Sequence, residues 1–209
     1  MKDQLEHWNH AHAEQWLRKH STMQTAFAEE VNKLIPINST ILELGCGEGN
    51  DSIYFTQNGH VVTATDFSDV VIRQNTEKYT DDNLNFKVQN IQQPFNFSDT
   101  SFDVIYARLS LHYFPDQATH AIFKEIARVL KPGGVLCFMC KGTEDPIYGQ
   151  GDKIEDDMYE LNGHVRHFFS EEYAKDLLDQ AGLTMERAES GKEMIYDRES
   201  AFVKIIAKK

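Results

Sequence analysis

Residues 41–50 read Ile-Leu-Glu-Leu-Gly-Cys-Gly-Glu-Gly-Asn, a short apolar run followed directly by three glycines at alternate positions. The apolar run predicts a buried strand, and the stretch after the glycines predicts a helix. Gly45, Gly47 and Gly49 let the backbone approach a ligand closely and adopt unusual torsions. Asp66 ends the next predicted strand, 21 residues after Gly45, where its carboxylate can accept hydrogen bonds from both ribose hydroxyls. The pattern therefore predicts a nucleoside site.

The rest of the chain alternates short apolar runs with amphipathic stretches. The sequence predicts strands at 40–44, 61–65, 84–88, 102–107 and 135–140, with helices at 50–58, 68–78 and 116–130. This alternation is typical of an α/β fold with a doubly wound, mostly parallel sheet covered on both faces. A helix at 170–181 and strands at 183–189 and 200–207 follow, the strands forming an antiparallel hairpin at the sheet edge.

The whole chain is expected to form a single domain of 209 residues with four parts. Residues 141–169 are polar, rich in glycine and poorly periodic, which predicts a long lid or acceptor loop. The parts are an N-terminal helical cap (1–36), a cofactor-binding core (37–140), the lid or acceptor loop (141–169), and a C-terminal helix with edge strands (170–209).

Charge around the glycine turn favours one class of nucleoside. Glu43, Glu48 and Asp51 surround the turn, and each would oppose a pyrophosphate by roughly 0.5–1 kcal/mol at about 10 Å. The dinucleotide fingerprint G-x-G-x-x-G also needs a glycine where this chain has Asn50. The turn therefore favours a nucleoside that carries positive charge.

These residues resemble the class I S-adenosylmethionine-dependent methyltransferases over about residues 38–140. Residues 43–49 are similar to the family's glycine motif, and 65–68 to its ribose clamp, while 101–105 and 128–134 are similar to its fourth- and fifth-strand signatures. The resemblance implies a seven-stranded Rossmann-like sheet, N-terminal helices over the cofactor site, and S-adenosylmethionine as cofactor with S-adenosylhomocysteine as product. The cofactor-binding residues that it implies are Glu43, Gly45, Cys46, Gly47, Gly49, Asp66, Phe67, Ser68, Asn90, Ile91, Arg108 and Leu109.

One position departs from the family pattern. The family often has Asp followed by an apolar residue after the third strand, and this chain has Asn90-Ile91. The Asn90 amide keeps a carbonyl oxygen that can accept a hydrogen bond from the adenine amino group. Adenine binding is therefore still expected, with one charge fewer.

The methyl acceptor is expected beyond the fourth strand, because in-line displacement from a sulfonium mainly requires proximity and alignment. His112 is the candidate general base, since a neutral imidazole is available near pH 7. The alternative is a packing histidine that hydrogen-bonds the backbone. His167, in the predicted lid, is a second catalytic candidate. The candidates for contact with a small-molecule acceptor are Tyr113, Tyr148, Arg166, Trp8 and Trp16.

Composition limits the partners and the compartment. The chain has 33 acidic against 21 basic residues, a net charge of −12, so neither a nucleic acid nor a membrane surface is expected as a partner. Three cysteines and a start without an apolar core predict a cytoplasmic protein. No metal site is expected, because His164 and His167 lack further ligands at the usual spacing. The expected assembly is a monomer or a homodimer.

Three other functions stay open beside transfer to a small molecule. A macromolecular methyltransferase acting on RNA or protein would use the same fold. A module that binds S-adenosylmethionine without catalysis would need no base. A nicotinamide dehydrogenase is disfavoured by the glycine spacing and by the carboxylates at the turn.

Overall fold

A computed structural model describes residues 9, 23–195 and 198–209 of the chain. Its main feature is a seven-stranded sheet in the order β3-β2-β1-β4-β5-β10-β9. The strands are β1 (Thr40–Leu44), β2 (Val61–Asp66), β3 (Leu84–Val88), β4 (Phe102–Arg108), β5 (Leu130–Lys141), β9 (Thr184–Ile195) and β10 (Arg198–Lys208). The helices are α1 (Ala26–Leu34), α2 (Asn50–Gln57), α3 (Asp69–Lys78), α4 (Asp116–Val129) and α5 (Glu171–Ala181).

The first five strands are parallel and the last two are antiparallel. Strand β1 pairs with β2 and β4, β2 with β3, and β4 with β5, all in parallel register. Strand β10 runs antiparallel to both β5 and β9. The doubly wound sheet with an antiparallel edge hairpin is confirmed, and the carboxyl ends of β1–β5 meet at one edge.

Two apolar clusters cover the two faces of this sheet. Alternate residues of β4 separate between them, with Val104 and Tyr106 on one side and Ile105 and Ala107 on the other. Helices α1, α2 and α3 pack on the first face and α4 and α5 on the second. This explains why the central strands read as continuous apolar runs, since both sides are buried.

The predicted loop at 141–169 contains a second sheet. Strands β6 (Asp152–Glu155), β7 (Met158–Leu161) and β8 (His164–His167) form an antiparallel three-stranded sheet in sequence order. Each strand has four residues and β6 is exposed along its length, so no apolar alternation marks them in the sequence. Phe169 N–H donates to Lys141 O at 2.8 Å and so ties the end of this segment to the carboxyl end of β5.

Several element boundaries differ from the sequence expectation. Residues 131–134, expected as a turn, belong to β5 as an irregular stretch, in which Gly133 has a φ of +76° and donates to Lys209 O. Pro115 precedes α4, so Asp116 is its first residue and not its cap. Cys137 and Cys140 are buried on opposite faces of β5, so their C-x-x-C spacing makes no disulfide.

Candidate functional site

The glycine turn after β1 is shaped by its neighbours. Gly45 has a φ of +81°, and a Cβ added there would lie 2.4 Å from the Cβ of Ser110. Gly47 donates its N–H to Asp66 Oδ2 at 3.0 Å, and its carbonyl accepts from the Asn75 side chain at 2.8 Å. A side chain at Gly45 therefore meets the segment after β4, while Asn75 of α3 fixes the middle of the turn.

The end of β2 brings the predicted ribose clamp to this turn. The Asp66 carboxylate accepts from Gly47 N and, at 2.9 Å, from Ser68 N. A carboxylate has about four lone-pair positions, so two acceptor positions remain for ribose hydroxyls. Phe67 between them is half-buried. Asn9, which sequence reasoning did not single out, accepts from Ser68 Oγ at 2.5 Å and so lies beside the clamp.

Two of the three carboxylates at the turn face inward. Glu43 is 3% exposed and accepts from Ser52 Oγ. Burial, with the nearby Asp51 carboxylate, raises the pKa of Glu43 to about 8. Asp51 is itself buried and accepts from Thr25 N at 2.7 Å, Thr25 Oγ1 at 2.9 Å and Tyr106 OH at 2.7 Å. These carboxylates tie α1, α2 and β4 together, a role that the sequence did not indicate.

The remaining residues proposed for the cofactor lie around the same edge. Cys46 is buried in a core cluster, and burial raises the pKa of its thiol. After β3, Asn90 Oδ1 accepts from Gln92 N at 3.0 Å, so its carbonyl oxygen already supports its own loop. Ile91 packs against the other core cluster.

The end of β4 faces the glycine turn. Leu109 has a φ of +55°, a torsion that is strained for leucine, and its N–H donates to Met139 O at 2.8 Å. Ser110 Oγ donates to Leu44 O at 2.5 Å. The Arg108 guanidinium extends to the edge hairpin, where Nη2 lies 3.7 Å from Glu193 Oε1. The hairpin therefore reaches over the carboxyl end of β4.

His112 lies in the segment that follows. It is 1% exposed, and neither ring nitrogen meets a hydrogen-bond partner among the residues that the structure describes. Whether His112 is a base or a packing residue stays a prediction, and no backbone atom of the described residues is hydrogen-bonded to its ring. Burial lowers the pKa of His112 well below its usual value, and basic neighbours lower it further.

His167 and the proposed acceptor contacts lie on or beside the small sheet. His167 N donates to His112 O at 2.9 Å, while its ring packs 4.6 Å from that of Tyr173. Burial lowers the pKa of His167, and its Nδ1 lies 3.3 Å from Phe114 O. Tyr113 stacks near His112 with ring centroids 4.3 Å apart.

The structure describes two of the four other candidates for contact with the acceptor. Arg166 is half-buried in β8. Tyr148 donates its hydroxyl to Asp157 at 2.5 Å and packs against Phe168. Trp8 and Trp16 lie outside the described residues.

The two strand signatures behind the resemblance have structural roles. Asp103 accepts from Thr40 N at 2.9 Å and from Lys131 Nζ at 2.8 Å, which locks β4 to β1 and β5. Arg128 donates to the carbonyls of Phe95 and Phe97 and so holds the loop before β4.

The described ranges contain neither a metal-binding cluster nor a membrane-spanning helix. There, no group of three or more His, Cys, Asp or Glu side chains is placed to hold a metal ion. Among the same residues, no helix has the length and apolar character needed to cross a membrane.

Residues 41–134, which contain the glycine turn and the ends of β2 and β4, match the family model described as a methyltransferase domain. This stretch of the chain therefore carries a methyltransferase domain, in agreement with the resemblance stated from the sequence. The match supports the predictions of a methyltransferase and of S-adenosylmethionine as its cofactor.

Relatives of several kinds share this methyltransferase domain. A 27-O-demethylrifamycin SV methyltransferase of Amycolatopsis mediterranei is 33% identical over 58% of this chain and 47% of its own length. A tRNA N(3)-cytidine methyltransferase of Gallus gallus is 29% identical over 68% of this chain and 42% of its own. A solved S-adenosylmethionine-dependent methyltransferase of Methanosarcina mazei superposes with a TM-score of 0.77, at 23% identity, covering 90% of this chain and 98% of that one. The chain spans about half or less of the length of the curated relatives that it matches.

The residues present at the turn fit the family's cofactor. The three glycines leave a cradle without side chains, and Gly45 admits no Cβ without displacing Ser110. The Asp66 carboxylate has two acceptor positions left for ribose hydroxyls. The buried carboxyl group of Glu43 lies beside the turn, and a positively charged methionyl group would favour its ionised form.

Proposed function

We propose that this chain transfers a methyl group from S-adenosylmethionine to a small-molecule acceptor. The observation that supports a small acceptor is enclosure: His112, just beyond β4, is 1% exposed and hydrogen-bonded through its carbonyl to β8. An acceptor site beside a residue buried in this way suits a small molecule better than a polynucleotide or a protein surface. The net charge of −12 agrees, because it repels a phosphate backbone.

The chain's own residues would bind, align and shield the reactants. When bound, S-adenosylmethionine supplies a sulfonium methyl group that the acceptor atom takes by in-line displacement. The glycine turn would hold the methionyl end, and Asp66 would accept from the ribose hydroxyls. His112, kept neutral because burial lowers its pKa, has a ring nitrogen available to accept a proton from an acceptor that must lose one.

Isothermal titration with S-adenosylhomocysteine tests the cofactor half of this proposal. NAD serves as the control ligand, and Asp176→Ala, an exposed carboxylate on α5, serves as the control for Asp66→Ala. We expect micromolar binding of S-adenosylhomocysteine alone, lost in Asp66→Ala and kept in Asp176→Ala. No binding to the wild-type protein, or equal binding of NAD, would sink the proposal.

A macromolecular acceptor is the second candidate, because one relative is a tRNA methyltransferase. Filter binding to bulk tRNA over a range of salt concentrations separates the two candidates. We expect no salt-dependent complex, and a complex that weakens steeply with salt would favour RNA.

The remaining expectations belong to the same proposal. Release of S-adenosylhomocysteine with any acceptor in a screen would exclude a module that only binds the cofactor. We also propose a cytoplasmic protein that works as a monomer or a homodimer, which sedimentation at several concentrations would test.

A further inference from the structure

Unsatisfied hydrogen-bonding groups concentrate at one place in the described part of the chain. Buried side-chain nitrogens that meet no hydrogen-bond partner among the described residues include Arg108 Nε, both ring nitrogens of His112, and Arg166 Nε. Arg108 ends β4, His112 follows it, and β8, which contains Arg166, is hydrogen-bonded to His112 through His167. The segment from the end of β4 to His112 and the strand β8 therefore bring unmet polar groups to the acceptor side of the site.

The chemistry of these groups is dominated by donors. An arginine Nε can only donate, and a neutral imidazole offers one donor and one acceptor. Folded proteins leave few buried polar atoms unpaired, because each one has lost its water without replacement. A molecule bound here must therefore supply mainly acceptor atoms.

The local charge also favours a ligand with negatively charged acceptor atoms, although the chain as a whole is acidic. Within the described residues Arg166 has no ion-pair partner, whereas Lys141 is paired with Asp145 at 2.7 Å and Arg108 lies 3.7 Å from Glu193. Of these three basic side chains, Arg166 is therefore the one whose charge is available to a ligand. The side chain of Arg108 also has no hydrogen-bond partner at Nε among the described residues.

We propose that the methyl acceptor carries an oxyanion, a carboxylate or a phosphate, and that Arg166 binds it together with Arg108 Nε and His112. This rests on the proposed function, since it names the substrate class of the same site. The oxyanion satisfies the arginine donors with charge-assisted hydrogen bonds. It also anchors the acceptor beside the end of β4, opposite the glycine turn.

The test uses the full chain saturated with S-adenosylhomocysteine and follows histidine ring signals by NMR. The probes are benzoate, its uncharged counterpart benzamide, and inorganic phosphate; His112→Gln assigns the His112 signal. We expect benzoate or phosphate to shift that signal with a dissociation constant about tenfold or more below that of benzamide. Which of the two binds more tightly distinguishes a carboxylate from a phosphate.

Variants link this preference to Arg166. Arg166→Gln should remove the preference for the anion without changing the affinity for S-adenosylhomocysteine, and Arg166→Lys should restore part of it. Lys175→Gln, an exposed lysine on α5, removes one positive charge elsewhere and should leave the preference unchanged.

The outcomes separate this inference from the function on which it rests. If S-adenosylhomocysteine does not bind, the proposed function fails. If it binds but no probe shifts the His112 signal, or benzamide binds as well as benzoate and phosphate, only the oxyanion proposal is overturned. Anion binding that survives Arg166→Gln overturns it equally.

Discussion

Replacing Gly45 with alanine tests whether the segment after β4 determines the shape of the glycine turn. Gly45 has a φ of +81°, and an added Cβ would lie 2.4 Å from the Cβ of Ser110. The left-handed torsion costs alanine about 1–2 kcal/mol, and forcing packed carbons apart adds about 1–3 kcal/mol. We therefore expect Gly45→Ala to lower the free energy of unfolding by about 2–5 kcal/mol, equivalent to about 4–20 °C in Tm for a chain of this size.

Gly182→Ala is the matched control, measured by the same thermal unfolding assay. Gly182 has a φ of +74° and nothing within 4 Å of an added Cβ, so only the torsional cost of about 1–2 kcal/mol applies. In the double variant Gly45→Ala/Ser110→Gly the clashing carbon is gone, so its loss of stability should be about 1–3 kcal/mol less than the sum of the single losses. Equal Tm losses for Gly45→Ala and Gly182→Ala, or strictly additive single effects, would refute the close-approach argument.

Three further predictions address the polar groups of the site. Because the pKa of Glu43 is raised to about 8 in the folded state from 4.5, the resulting stability is full below pH 4.5 and lost as pH rises towards 8. Glu43→Gln should therefore lose less Tm than wild type between about pH 5 and 8, and parallel profiles would contradict this. Tyr106→Phe removes a donor to Asp51 and should cost about 1–3 kcal/mol; an unchanged Tm would argue against the buried network. Asn90→Asp keeps the acceptor for Gln92 N and adds a second carboxylate oxygen, so S-adenosylhomocysteine should bind several-fold more tightly in titration; unchanged affinity would place adenine elsewhere.

The inner strands of the central sheet were predictable because burial on both faces leaves a strong signal. The runs that became β1, β2 and β4 were located to within about one residue. The cap of α3 was equally clear, because Ser68 accepts from Val71 N as a capping serine does. Each of these elements is specified by residues within it or directly next to it.

Elements that depend on distant contacts were missed or shortened. Strands β6, β7 and β8 are too short and too exposed for periodicity to mark them. The edge hairpin extends to residues 195 and 198, beyond the predicted ends at 189 and 200. There it overhangs β5 and brings Glu193 to Arg108, a contact that no pattern within 183–207 specifies.

The sequence suggested that the carboxylates at the glycine turn lie on its surface, but two of them, Glu43 and Asp51, are buried. Three carboxylates near a turn imply a negative surface. The pKa of Glu43 is raised to about 8, however, so its carboxyl group is protonated near pH 7. The Asp51 carboxylate accepts hydrogen bonds from Thr25 and Tyr106. The preference for a positive ligand therefore comes from buried groups rather than from surface charge. A cation beside Glu43 would lower that pKa and release the proton, because an opposite charge favours the ionised form. A cation would therefore gain an ionised Glu43, whereas a pyrophosphate would leave Glu43 protonated. Sequence alone does not reveal which carboxyl groups are buried.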